Sequence, residues 1–242
     1  MIDHGRTAVV GTATAEVTES ALLRGKIELV LPALLEAGRR LIEHPDLRTL
    51  YPEYLFMSHC NIRASVHLME AGLEASRTRS QDPVCKLLAV YLEQHIEEER
   101  GHDNWLLEDL AALGAPNEQL LDRPPLPSVA ALVGSQYYWV HHAHPVGLLG
   151  YIGLLEGYPP VRKDIEEMQA RTGYGATAFR TLLLHADLDP HHSQELDRLL
   201  DSLPLTEYQR TVLGLSALGS VQLFTGALED LMDRHGAATA VD

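Results

Sequence analysis

The chain has 242 residues, 45% of them hydrophobic and 22% charged, which is enough apolar material for one sizeable core. Nineteen basic against 34 acidic residues give a formal charge of −15, which disfavours nucleic acid and anionic membrane surfaces as partners. Only two cysteines occur, Cys60 and Cys85, too few for a disulfide framework or a thiolate metal site, so a reducing cytoplasmic setting is expected.

Taken in chain order, the pattern is helical almost throughout. The start lacks the apolar block of a signal peptide, and no uninterrupted apolar run reaches the roughly 18 residues of a membrane span. Glu19 to Glu43 carries apolar residues at helical spacing, with Pro32 as a kink. Pro52 opens a second helix that runs to Ser76, and Asp82-Pro83 opens a third that runs to Leu113, with Gly114 in the capping position. A proline-rich linker from Asp122 to Ser128 leads into Val129–Glu156, broken at His144-Pro145. Three more helices are predicted, after Pro159-Pro160, from Ala176 to Leu203, and from Thr206 to His235. The expectation is a single all-α domain of seven helices over residues 18–235, with flexible ends at 1–17 and 236–242.

Thirteen histidines are unusual in so apolar a chain. His185, Asp189 and His192 form an H-x3-D-x2-H array that spans about 60° of a helix face. The array continues the apolar stripe Ala178, Leu182, Leu196, Leu199 and so points into the core. Two imidazoles and a carboxylate aimed at one buried place suit a first-row transition metal, iron or manganese. A shuffled chain yields this spacing about 0.04 times, which makes the signal moderately specific. The competing reading makes Asp189-Pro190 a helix N-cap with its following proline.

On the third helix the leucine stripe Leu88, Leu92, Leu106, Leu113 puts His95, Glu99 and His102 inward. Glu99 and His102 form E-x2-H, a pair that arises about once by chance and is weak alone. Glu99 is preferred over Glu98 because it falls on the stripe, and Glu97 is read as solvated. Glu156, closing an apolar stretch, is the third element, since a lone buried carboxylate is expensive unless paired or coordinated. Its alternative is a helix end facing water. Together Glu99, His102, Glu156, His185, Asp189 and His192 can hold two Fe(II) ions with positions left open for O2, with His95 and Glu98 as alternates.

HIEEERGHDNWLL, YYWVHHAHPVGLLGYIGLLEG and LLLHADLDPHH occur in the order seen in heme-oxygenase-like diiron oxidases, the iron-containing redox enzymes. The chain resembles that family from about Asp82 to His235. Several relatives place a ligand carboxylate seven residues before the first-motif histidine, where this chain has His95. The resemblance implies a seven-helix fold, a labile pair of irons and O2-dependent attack on a small molecule. The implied reactions are C–C cleavage or decarboxylation of fatty and amino acids, or N-oxygenation of amines, with an external electron donor where needed.

The second helix carries a polar stripe, His59, Arg63, His67 and Glu70, from which Arg63 could clamp a substrate carboxylate if that face looked inward. Tyr138 and His142 precede Glu156 by 18 and 14 residues, nearly one face of a straight helix, and are further candidates for the substrate site. His141, His142 and His144 together read as a surface cluster. Two other functions compete: a metal-independent enzyme of the thiaminase-II or quinone-cofactor-synthase type, and a non-catalytic helical binding protein. The first needs a cysteine nucleophile with a base, which the sequence does not supply for Cys60 or Cys85. Neither the substrate nor the oligomeric state is legible, and a homodimer is allowed.

Overall fold

The computed structural model describes residues 17–114 and 122–239. Of the ends expected to be flexible, residues 1–16 and 240–242 lie outside the described residues, whereas residues 236–239 continue the last helix. The helices are α1 (Glu19–Ile42), α2 (Leu47–Thr78), α3 (Pro83–Glu99), α4 (His102–Ala112), α5 (Pro127–Tyr138), α6 (Leu148–Gly157), α7 (Arg162–Thr172), α8 (Arg180–Ser202) and α9 (Glu207–Thr239). No strand occurs among the described residues, so the all-α expectation holds.

Three boundaries differ from the sequence reading, each for a local reason. The expected third helix is two, α3 and α4, because Arg100 is extended and Gly101 has φ 92°, a left-handed value that glycine adopts without steric cost. α2 begins at Leu47, which puts Pro52 in its second turn rather than its first. Proline has no N–H to offer the carbonyl of Arg48. The Tyr174 hydroxyl donates to that carbonyl instead, at 2.9 Å, and the Arg48 guanidinium lies over the Tyr174 ring. Between α5 and α6 the chain widens into a π-turn at Trp139–Ala143, extends at His144 and tightens at Pro145–Gly147 before α6 starts.

Two apolar clusters make the core. One joins α1, α3, α6 and α9 through residues such as Ile27, Leu88, Leu92, Ile152 and Val221. The other joins α2, α4, α7 and α8 through Leu50, Tyr51, Leu106, Ile165 and Leu182. A cavity of about 500 Å³ lies where they meet, lined from the first by Leu31, Met69 and Ile152 and from the second by Leu106, Ile165 and Leu182. The start of α8 is pinned beside it. Asp109, fully buried on α4, accepts the Thr181 N–H at 2.9 Å, and the Tyr51 hydroxyl donates to the Ala178 carbonyl at 2.7 Å.

α6 approaches α9 so closely that a Cβ at Gly150 would stand 2.6 Å from the Ala217 nitrogen and 2.7 Å from the Leu213 carbonyl. Backbone cannot yield as a side chain can. Gly150→Ala is therefore expected to destabilise the fold by about 2 kcal/mol, read as a lower urea midpoint. An unchanged midpoint would show that the helices separate at little cost. One described segment, Glu207–His235 of α9, is long and apolar enough to cross a membrane, but half of its apolar window is buried within the bundle.

Candidate metal centre

At one end of the cavity, side chains from α3, α4, α6 and α8 converge. Glu99, at the last residue of α3, stands in the middle. Its Oε2 lies 3.0 Å from His102 Nδ1, across the Gly101 break, and its Oε1 lies 3.4 Å from His192 Nδ1. One ligand atom each from Glu99, His102 and His185 fits within 4.8 Å, and so does one each from His95, Glu99 and Glu156. Glu99 belongs to both groups. Asp189 is buried and lines the same cavity wall, within reach of the charges of Glu156, Glu99 and His95, and the His192 ring stands edge-on to His95 at 5.2 Å. All six residues singled out from the motifs thus meet at one place, and His95 joins them.

Local contacts aim these rings. His185 Nδ1 lies 2.9 Å from the Thr181 carbonyl, so it donates there and its Nε2 lone pair is free to face the cluster. His95 points Nε2 at Glu156 Oε1, 2.6 Å away, while its Nδ1 faces Glu98 Oε2 at 3.4 Å. Glu98 is therefore behind His95 rather than among the converging atoms, and also accepts from Gln94. Tyr91 stacks on the His95 ring, and Trp105 stacks on His102.

The donor set fits a metal on a specific observation. Glu156 Oε2, His102 Nδ1 and His192 Nδ1 are buried without a hydrogen-bond partner among the described residues. The 3.0 Å approach of His102 to Glu99 is close, yet its angle makes no hydrogen bond. Such atoms cost free energy where they stand, and a cation between them would satisfy them together. Nitrogen and oxygen donors without thiolate match iron or manganese.

Protonation tells the same story. Burial first, then the charges of Glu156 and Glu99, pushes Asp189 up to about 8. Burial works against charge on His95, but its contact with Glu156 and the nearby Glu99 raises it to about 9. Burial also raises Glu156, so this pair holds one proton between Nε2 and Oε1 well above neutrality. Glu99 goes the other way: burial is outweighed by His102, His95 and His185, which keep it ionised.

Both raised groups make the metal-free fold favour protons. Their stabilisation is complete below the unfolded values, 3.8 for Asp189 and 6.5 for His95, and is lost as pH rises through about 8 and 9. The expected result is a melting temperature of metal-free protein that falls between pH 7 and pH 8.5. Metal loading should flatten the slope, because coordinated groups no longer hold those protons. A metal-free melting temperature that rises over this interval contradicts the assignment.

The substrate candidates fare differently. Arg63 sits half-buried near His59 and Cys60 and does not line the cavity. The face that α2 turns inward carries Tyr54, Ser58, Asn61, Ser65 and Met69, and a residue two places after Asn61 points about 200° away. His67 is exposed and pairs with Glu70, while His59 faces the Asp103 carbonyl. Tyr138 and His142 stack loosely on each other at the surface. The π-turn and the break at His144 destroy the straight-helix register that would have carried them to Glu156.

His144 is also not a surface residue. It is buried against Asp82, Cys85 and Gln209, a grouping the sequence reading missed because its members lie far apart in the chain. His144 Nδ1 accepts the Val146 N–H at 3.1 Å, so its proton sits on Nε2 and goes to Asp82, 3.0 Å away. A metal at Nε2 would need that proton on Nδ1, in conflict with the Val146 contact. This group is a latch between α3, α9 and the π-turn. Cys85 beside it is fully buried, and burial with the nearby Asp82 pushes its thiol up to about 11.

A family model described as iron-containing redox enzyme matches residues 68–219, which span every converging ligand candidate. The chain belongs to that family. No curated protein matches it significantly. Among solved structures, a domain of unknown function with a heme oxygenase-like fold from Shewanella denitrificans is similar, with a TM-score of 0.76 and 19% identity over 90% of this chain and 94% of that one. A TenA homolog from Pseudomonas syringae pv. tomato is also similar, with a TM-score of 0.60 and 15% identity over 95% and 99% of the two chains. At such identities the likeness shows the heme-oxygenase-like fold, as expected from the motif order. The family is one of redox enzymes, and its iron fits the oxygen and nitrogen donors found here.

Proposed function

We propose that this member of the iron-containing redox enzyme family is an O2-dependent non-heme diiron oxidase of a small organic molecule. The observation that carries the reading is Glu99, which stands between two donor groups and presents one carboxylate oxygen to each side. Glu99, His102 and His185 would hold one iron. Glu156, Asp189 and His192 would hold the other, with Glu99 shared and His95 as a seventh donor. Ferrous ions bound there supply electrons and open coordination positions for dioxygen.

The chain's own residues do the rest. Glu98 fixes the rotation of His95, and the Thr181 carbonyl fixes that of His185. Leu106, Ile152, Leu154 and Leu182 wall the approach and exclude water from the reacting end. Hydrolysis by a cysteine nucleophile gains no support, since neither Cys60 nor Cys85 lines the cavity. The substrate is expected to be a small, mostly apolar organic molecule, and an external reductant to be required if turnover consumes electrons beyond those of the substrate.

The test is anaerobic loading with Fe(II), removal of free metal, and exposure to oxygenated buffer. About two irons per chain and O2 uptake faster than that of free Fe(II) are expected. Retention of no iron sinks the metal reading. Retained iron with no O2 uptake leaves an iron-binding protein and sinks the oxidase.

A further inference from the structure

The inward face of α2 carries a polar group that the metal centre does not use. Asn61 is 4% exposed and lines the cavity. Its Oδ1 accepts from the Tyr151 hydroxyl at 3.0 Å, and the Ser65 hydroxyl lies 3.3 Å from that same phenol oxygen. The Asn61 amide nitrogen, with two N–H donors, has no partner among the described residues. It is not one of the fully enclosed orphan atoms, so these two N–H groups remain reachable from the cavity and free to bind an acceptor. In a cavity wall it is an offer to whatever enters.

The surroundings restrict what can accept. Leu31, Leu34, Met69, Ile152, Leu155 and Phe224 make the wall around this group apolar. The only lysine or arginine lining the cavity among the described residues is Arg39, and it is engaged by Glu36 and Glu43 at the surface. No free lysine or arginine among the described residues therefore stands beside Asn61, and the His95 cation that shares the cavity is already paired with Glu156. Burial, with Glu99 nearby, keeps Tyr151 protonated to about 12, so its hydroxyl remains a donor to Asn61 and the amide stays oriented. Exposed Leu35 and Val161 at the cavity's rim give it an apolar entrance.

We infer that Asn61, held by Tyr151 and Ser65, is the specificity-determining residue for an uncharged oxygen acceptor, a carboxamide or hydroxyl, on an otherwise apolar substrate. The inference rests on the cavity being the substrate site of the reading above. It does not depend on iron. The neutral polar group would sit at Asn61, while the apolar chain follows Leu34, Leu155 and Phe224 toward the rim.

The experiment uses the full chain after anaerobic Fe(II) loading, with iron counted on the same sample. N-phenyl-1-naphthylamine, an uncharged fluorophore for apolar cavities, is bound and then displaced with octanamide. Asn61→Leu should keep the affinity for the fluorophore within twofold and weaken octanamide at least tenfold. A purely structural role for Asn61 would move both. Should Asn61→Leu fail to fold, Asn61→Ser keeps an acceptor for Tyr151 and should show the same selective loss. Failure of octanamide to displace the fluorophore, or equal displacement from the variant, overturns the inference. Asn61-dependent displacement from protein without iron keeps it and sinks the diiron reading. Normal iron with Asn61-independent displacement does the reverse.

Discussion

Glu99→Ala is expected to abolish metal binding completely, from about two irons per chain to none after anaerobic loading. Each donor group shares this one carboxylate, so its loss removes a ligand from both at once. It also removes the carboxylate that lies 3.0 Å from His102 Nδ1 and 3.4 Å from His192 Nδ1, and so leaves both nitrogens without a nearby anion from α3. His185→Ala takes a donor from one group only and should leave about one iron. Among the three neighbours on α3, the order of effect expected is Glu99 largest, His95 next and Glu98 least, because Glu98 meets His95 at the nitrogen turned away from Glu156 and otherwise bonds Gln94. Metal analysis of the four variants decides the matter. Unchanged iron in Glu99→Ala would refute the shared role outright.

The second large effect concerns α8, which carries His185, Asp189 and His192. Pro190 lies inside this helix, so the carbonyl of Ala186 loses its partner, at a cost of about 3 kcal/mol in a helix interior. Without metal, His192 Nδ1 and Glu156 Oε2 are also buried and unpaired, and Asp189 must keep a proton to remain inside. Metal at 100 times its dissociation constant would offset about 2.7 kcal/mol of this. Amides from Leu182 to Leu196 should therefore exchange about 100-fold faster in metal-free protein than in Fe(II)-loaded protein. Those from Val84 to Leu92 on α3, packed in the apolar core and carrying none of the converging ligands, should change little. Equal strong protection of α8 in both states would mean that its packing on α6 and α1, with ties such as Arg24 to Asp197, holds it without metal.

Of the site, the parts carried by short spacing were legible. H-x3-D-x2-H lies on one unbroken helix, so helical periodicity alone aims its three side chains together. E-x2-H was legible by composition, although its geometry is not that of a helix turn: the chain breaks at Gly101 and His102 returns to Glu99 from the next helix. Glu156 was recognisable because a carboxylate ending an apolar run demands a partner, and His95 is that partner. What spacing could not settle was which of His95, Glu98 and Glu99 ligates, because that depends on Glu156, 61 residues from His95, and on His102 and His192, which reach Glu99 from other helices.

Helical class, helix order to within a few residues and the identity of the converging motif residues were all legible in the local pattern of the chain. Local periodicity, proline and glycine act within a turn or two, and those signals are complete in the chain. Which face of α2 looks inward was decided only by tertiary packing. The apolar and polar residues of that helix alternate so closely that a stripe through Arg63 and one through Asn61 read equally well, and the cavity between the two core clusters selects the second. The same holds for His144. Its neighbours Asp82 and Gln209 lie 62 and 65 residues away, and the proton on its Nε2 follows from the capping contact made by its other nitrogen. Long-range contacts of this kind have no local signature, because the free energy that fixes them resides in burial shared among helices rather than in any one of them.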